Sequence, residues 1–192
     1  MRTIQKNVQA DTVDIKFQDS QYKRKNKMAL AYVRNLFLEQ YSADTLMLAM
    51  PAIGERYVRI DLSGFESLKS SGYISKLQGT QVEDAIFKYY NFYSRVLAQE
   101  QSLNNYIENM EVRLFDMSNE VLIDAFKVFS EGLFGEKIAD AKSPENTIEQ
   151  LYNNSHLFGI MQRVADEDSK QYENLLAHAV DLLKTIDHEL EQ

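Results

Sequence analysis

Three histidines, His156, His178 and His188, are the first residues to weigh, because imidazole is both a common metal ligand and the side chain that titrates near neutral pH. His178 and Asp181 stand at i, i+3, which sets two donors on one face of a helix. His188 lies about three helical turns further on and would need an ion of its own. Carboxylate-bridged di-metal bundles take a Glu-x-x-His step from each of two helices. Here the residues three places before the histidines are Asn153, Leu175 and Thr185. Surface histidines with no metal are therefore the simpler reading. The chain has no Cys, which removes thiolate metal sites, disulfides and cysteine nucleophiles together. Ser70-Ser71-Gly72 has the look of a reactive serine, but no G-x-S-x-G turn surrounds it, and a helix end accounts for it more simply. Phosphate-binding loops need clustered glycines ahead of a helix, and the 7 glycines here are scattered. The sequence thus points to no catalytic residue, no cofactor and no metal.

The most unusual local feature is FKYYNFY, with Phe87, Tyr89, Tyr90, Phe92 and Tyr93 within seven residues. On a helix these five rings span nearly the whole circumference, so one core face cannot take them all. As a functional feature they make a candidate ligand or partner surface, where rings and phenol hydroxyls suit a cleft between helices or an interface. Otherwise short helices cover the second face of a central helix, which is the simpler account. Met47, Met50, Met110, Met117 and Met161 read as core filler.

The elements that must hold these residues are helices almost throughout. With only 2 Pro and 7 Gly in 192 residues, few turns are available for a sandwich or barrel. Val8, Ile15, Tyr22, Ala29 and Leu36 recur every seven positions, the stripe of a long helix over about 1–40. Polar residues on adjacent rows, such as Asp11 and Asn26, weaken that stripe as an independent coiled coil. Short helices are expected over about 43–79, opening with Ser42 as a cap, interrupted at Pro51 and Gly54, and crossing residues 55–61 as a loop or short extended stretch. Within them, Leu62, Phe65 and Leu68 share one face, and Gly72 fits the left-handed position after a helix end.

Thr80 and Glu83 form a T-x-x-E capping box, and no Pro or Gly follows as far as Phe115. A spine helix over about 80–116 results, roughly 50 Å long. Further helices are expected over about 119–133, capped by Ser118, and 144–165, started by Ser143-Pro144-Glu145. The last, about 167–191, sets Tyr172, Leu175, Leu176, Ala179, Val180, Leu183, Ile186 and Leu190 on one side. The expected architecture is all-α: one domain over 1–192, an elongated antiparallel bundle with two or three long helices and several short ones packed on it.

The formal charge is −8, unevenly spread: residues 1–34 carry +5, 35–99 carry −1 and 100–192 carry −12. Lys23, Arg24, Lys25 and Lys27 form the basic cluster. Attraction to phosphate or anionic lipid is one use for it. Nucleic-acid binders usually carry a net basic domain, so a solvated helix face is the simpler account and no nucleic-acid partner is expected. No apolar run reaches the roughly 20 residues that cross a bilayer.

The block FESLKSSG (Phe65 to Gly72), followed by Val82, Ile86 with Tyr89-Tyr90, then Glu100 and Asn104, resembles a family of uncharacterised small bacterial membrane proteins. Those proteins share a short basic N-terminus, one membrane helix, and a helical domain with LKSSG followed by I-x-x-Y-Y. The opening RTIQKNVQADTVDI is similar to the segment after their membrane helix, and LLKTIDHEL to their usual end. LKSSG with the downstream tyrosines is the distinctive part; no site residues are established for the family, so none carry over. The resemblance implies a bacterial extracytoplasmic domain at the periplasmic face of the inner membrane, tethered through an N-terminal anchor absent from this chain.

In physical terms LKSSG is a structural corner. Leu68 packs, Ser70 and Ser71 bond the last free carbonyls of their helix, and Gly72 lets the chain reverse; the corner is expected against Tyr89 and Tyr90. Two functional classes follow. One is a non-enzymatic interaction or sensor domain with a protein partner or a second copy. The other is a cytosolic helical-bundle enzyme or metal-binding protein, which needs His178, Asp181 and acids such as Glu100, Glu108 or Glu111 to converge.

Overall fold

A computed structural model describes residues 1–114, 116–167 and 170–191. Phe115, at the expected end of the spine helix, and residues 168–169, at the expected start of the last one, lie outside the described residues, as does Gln192. Among the described residues the fold is all-α, with eight helices, two short 3-10 turns and no strand. Helix α1 is Arg2–Phe37, α2 Ala43–Ala49, α3 Ser63–Ser70, α4 Gln81–Leu114, α5 Asn119–Phe134, α6 Pro144–Tyr152, α7 Ser155–Asp166 and α8 Lys170–Leu190. The 3-10 turns are Met50–Ile53 and Tyr73–Leu77.

Local signals in the sequence account for most of the boundaries. Ser42 and Ser118 cap α2 and α5, their hydroxyls accepting from the Thr45 and Val121 amides. Thr80 accepts from the Glu83 amide, and the Glu83 carboxylate reaches back to the Gly79 amide at 2.7 Å, one residue beyond the usual capping-box partner. Ser143 departs from expectation. Helix α6 does start at Pro144, but the Ser143 side chain makes no cap bond. Instead the Lys142 and Ser143 amides donate to the buried carboxylate of Asp124 on α5, at 2.9 and 3.0 Å. The single helix expected over 144–165 is two. Asn154 breaks it, its Oδ1 accepting from the His156 and Leu157 amides as the cap of α7. An Asn beside another Asn is a good helix start, because its short side chain competes for backbone donors.

The described residues divide into two compact units. The first takes residues 1–22, 56–101 and, of those described, 170–191; the second takes 23–55 and 102–167. Helices α1 and α4 each contribute to both.

In the first unit the core runs from Ile4, Val8 and Ile15 to Val82, Ile86 and Val96, with Leu175, Leu182 and Ile186 closing it. Helix α8 lies antiparallel to α1: Gln5 hydrogen-bonds Asp187, while Tyr22 meets Tyr172 edge-on at 5.1 Å. Between α1 and α4 the non-helical connector, residues 55–62, serves as a ruler. Val58 meets Glu100 and Ile60 meets Tyr93, while Arg59 meets Asp14 and Asp61 meets Asp11. Positions on both helices fall as the connector advances, so α1 and α4 share a direction in this unit, and the antiparallel relation belongs to α8. The buried face of α8 is Tyr172, Leu175, Ala179, Leu182 and Ile186; Val180 and Leu190 are exposed, unlike the stripe expected from sequence. A 3-4-3-4 spacing follows a coiled-coil seam, and Leu182 rather than Leu183 falls on it.

The second unit is built around tyrosines. Tyr32 and Tyr152 stack with centroids 4.8 Å apart, and the Tyr32 hydroxyl donates to the Tyr152 carbonyl at 2.8 Å. Leu46, Leu103, Ile107, Leu157 and Ile160 complete this core.

Candidate functional site

The aromatic run lies in the first unit and is mostly interior. Tyr89, Tyr90 and Tyr93 are buried, Phe92 is half-buried against His178 with ring centroids 4.8 Å apart, and Phe87 is 37% exposed. Phe65 of α3 stacks on Tyr90 at 4.2 Å and meets Phe87 edge-on at 6.2 Å. Short elements thus cover the second face of α4. The LKSSG corner lies in the same core: Leu68 is buried in the cluster that holds Tyr89 and Tyr90. The Ser70 and Ser71 hydroxyls donate to the Ser67 and Leu68 carbonyls at 3.2 and 3.1 Å. Gly72 is left-handed at φ 67°, which lets the chain turn into the 3-10 segment. At the other end of α3, a Cβ on Gly64 would lie 3.0 Å from Ile4 Cγ1, so α3 approaches α1 closely there.

What the sequence reading missed is a pair of buried carboxylates beneath the connector. Val58 donates its amide to both oxygens of Glu100, at 3.0 and 3.1 Å, and the Tyr172 hydroxyl donates to Oε1. Asp11 accepts from the Asp61 amide at 2.9 Å and from the Tyr89 hydroxyl at 2.9 Å. A connector with no helix or sheet of its own must place its N–H groups somewhere, and acids on α1 and α4 supply the acceptors. Arg56, also buried, lies over the Tyr22 ring at 4.3 Å and beside Glu100. Burial pushes the Glu100 carboxyl above the ordinary 4.5, against the pull of Tyr172, the Val58 amide and Arg56. Burial likewise raises Asp11, opposed by the Asp61 amide and Tyr89. Both phenols rise well above the ordinary range, first from burial and then from the carboxylate each one faces.

An acid, a guanidinium and phenols in one buried cluster are an inventory for proton transfer. Yet Glu100 is 2% exposed and its oxygens are taken by the main chain and Tyr172, so the cluster works as a clamp on the connector. A signal for it was present in the sequence. Ile86, Tyr93, Glu100 and Ile107 repeat every seven residues, as do Ile4, Asp11, Gln18, Lys25 and Tyr32, so each acid stands in a core register.

His178 faces Phe92, and among the described residues no three His, Asp or Glu side chains are grouped to hold a metal ion. Of the basic cluster, Lys25 donates its ammonium to the Gly54 carbonyl at 2.8 Å and so closes the first 3-10 turn; Lys23, Arg24 and Lys27 are exposed.

The second unit holds a cleft that the sequence reading did not anticipate. Its volume is about 420 Å³, and it is formed by α2, the first 3-10 turn, the end of α4, α5, and the α6–α7 junction. Met47, Met50, Phe126, Phe129 and Leu133 contribute to its walls, and Asn154 is the one polar side chain among the described lining residues. Met50, Phe126 and Leu133 are 44%, 55% and 57% exposed, so the apolar lining reaches the surface. Met47 and Met50 therefore flank a cleft, where the sequence suggested core filler. Gly132 lies inside α5, where Met47 packs so closely on it that a Cβ would collide with the thioether. The signal available in the sequence was α5 itself, whose apolar residues Val121, Ile123, Phe126 and Phe129 occupy more than one face.

Comparison with family models, curated proteins and solved structures finds no match to this chain.

Proposed function

We propose that the chain is a non-enzymatic interaction or sensor domain, held at the periplasmic face of a bacterial inner membrane by an anchor that precedes α1. The observation that carries the reading is the apolar cleft of the second unit, about 420 Å³ and open to the surface through exposed Met50, Phe126 and Leu133. Its size falls within the range of small-ligand sites, and apolar surface left open at a cleft marks a place where something binds. The buried acids add support, since Glu100 and Asp11 are engaged in holding the connector. The resemblance through Phe65–Gly72 and Tyr89-Tyr90 supplies the setting. The helices of the described chain are not long and apolar enough to cross a membrane, so in this reading the tether lies outside it.

These 192 residues hold no Cys, so one engineered thiol reports topology once any cysteine of the proposed anchor segment is replaced by Ser. A single Cys placed at exposed Lys88 in the full-length protein should react with a membrane-impermeant maleimide once the outer membrane is made permeable. Protection until the inner membrane is lysed would assign the domain to the cytosol and end this reading.

A further inference from the structure

Resting on the reading of the cleft as the receiving site, we infer that its occupant is a single linear apolar chain carrying an uncharged or cationic head, in the manner of a monomeric amphiphile. Three observations select this class. The first is lining chemistry. Apart from Asn154, the described walls offer hydrocarbon, thioether and aromatic carbon, and the Asn154 Oδ1 already accepts from two α7 amides. An extended peptide laid into such a cleft would bury main-chain N–H and C=O groups without partners, at a cost of about 1–3 kcal/mol each. An alkyl chain buries none.

The second is size. At about 420 Å³ the cleft lies in the range of small-ligand sites. The same volume accepts a flexible alkyl chain, and Met47 and Met50 can adapt to its path. The third is charge. Residues 116–152, which include α5 and α6, carry eight acids against three lysines. Glu131, Glu136, Glu145 and Glu149 are exposed on this segment and Glu120 pairs with Lys142, so the elements around the cleft are net negative and disfavour an anionic head.

Submicellar decyl maltoside, decyltrimethylammonium and decanoate present one tail with three different heads. Titration into the full chain, followed by calorimetry, should give saturable one-to-one binding for the first two. Decanoate should be weaker by about threefold or more at low salt, with the gap closing as salt is raised. Ala125→Phe places a ring in the cleft and should weaken binding by about tenfold, with the helical circular-dichroism signal retained. Gly132→Ala is the second variant. Its methyl displaces the Met47 thioether toward the cleft, so binding should fall and then recover when Met47→Ala is added. Phe17→Ser, exposed on α1 in the other unit, should leave binding unchanged. Failure of all three probes to saturate, or indifference to both Ala125→Phe and Gly132→Ala, overturns the ligand class. Decanoate binding tightest overturns the choice of head. Neither outcome touches the membrane topology, which the maleimide experiment reads separately.

Discussion

At the scale of single residues, the strongest commitments are the two acids under the connector. Glu100 receives two main-chain contacts and a phenol, and Arg56 stands beside it, so removing the carboxylate strands several buried donors at once. Glu100→Ala should destabilise by about 3–5 kcal/mol, read from urea denaturation, because a buried arginine loses the charge opposite it. Tyr172→Phe removes one donor and keeps the packing, so its cost should be nearer 1–2 kcal/mol. If the two variants cost the same, the clamp is not organised by charge. The tyrosines of the run FKYYNFY show why residue type alone misleads. Tyr89 is in the core because its hydroxyl has Asp11 as acceptor, and an unpaired phenol there would have been costly.

At the scale of elements, caps decide where helices begin, and each can be tested alone. Asn154→Ala removes the acceptor for two α7 amides and should cost about 1 kcal/mol without changing the helical content outside α6 and α7. Gly72→Ala meets open space, so any loss reports backbone strain at φ 67° and not a clash; about 1 kcal/mol is expected by thermal unfolding. Helix α5 had the clearest unread message. Its apolar residues cover more than one face, which the sequence registers as a helix needing two neighbours, and one of those faces turned out to line an open cleft. Asp124 on the same helix is a tertiary capping group, 18 and 19 residues before the amides it accepts. Local pattern could not find it, because a cap at that distance is made by the fold.

At the scale of the whole molecule, the buried acids give stability a dependence on pH with a defined sign. Glu100 and Asp11 have raised values in the fold, so their contribution is complete below the ordinary 4.5 and 3.8. It is lost as pH rises through the raised values. Glu100→Gln should therefore gain on the wild type, in urea midpoint, as pH rises from 4 through the raised value. Asp124 runs the other way. Burial acts to raise it, but the Ser143 amide, Lys127 and the Lys142 amide hold it below the ordinary range, so its contribution is present above 3.8 and lost on acidification. Asp124→Asn should cost most near neutral pH and least in acid, where the wild-type carboxyl is itself protonated.

The all-α class, both long helices and most of their starts were determined by the sequence, since seven-residue spacing, sparse Pro and Gly, and short polar caps act within one or two turns of chain. The five-ring run and the LKSSG corner were legible to the same depth, as helix and helix end. Which acids would be buried, and which apolar face would be left open, was decided only by the tertiary structure. Glu100 is acceptable in a core because the Val58 amide and the Tyr172 hydroxyl arrive from 42 residues upstream and 72 downstream, and the cleft beside Phe126 is walled by α2, the end of α4 and the α6–α7 junction, all distant from α5 or separated from it by a loop. Local spacing fixes helices through contacts a few residues apart; burial and cavities are set by what distant segments bring to the same place.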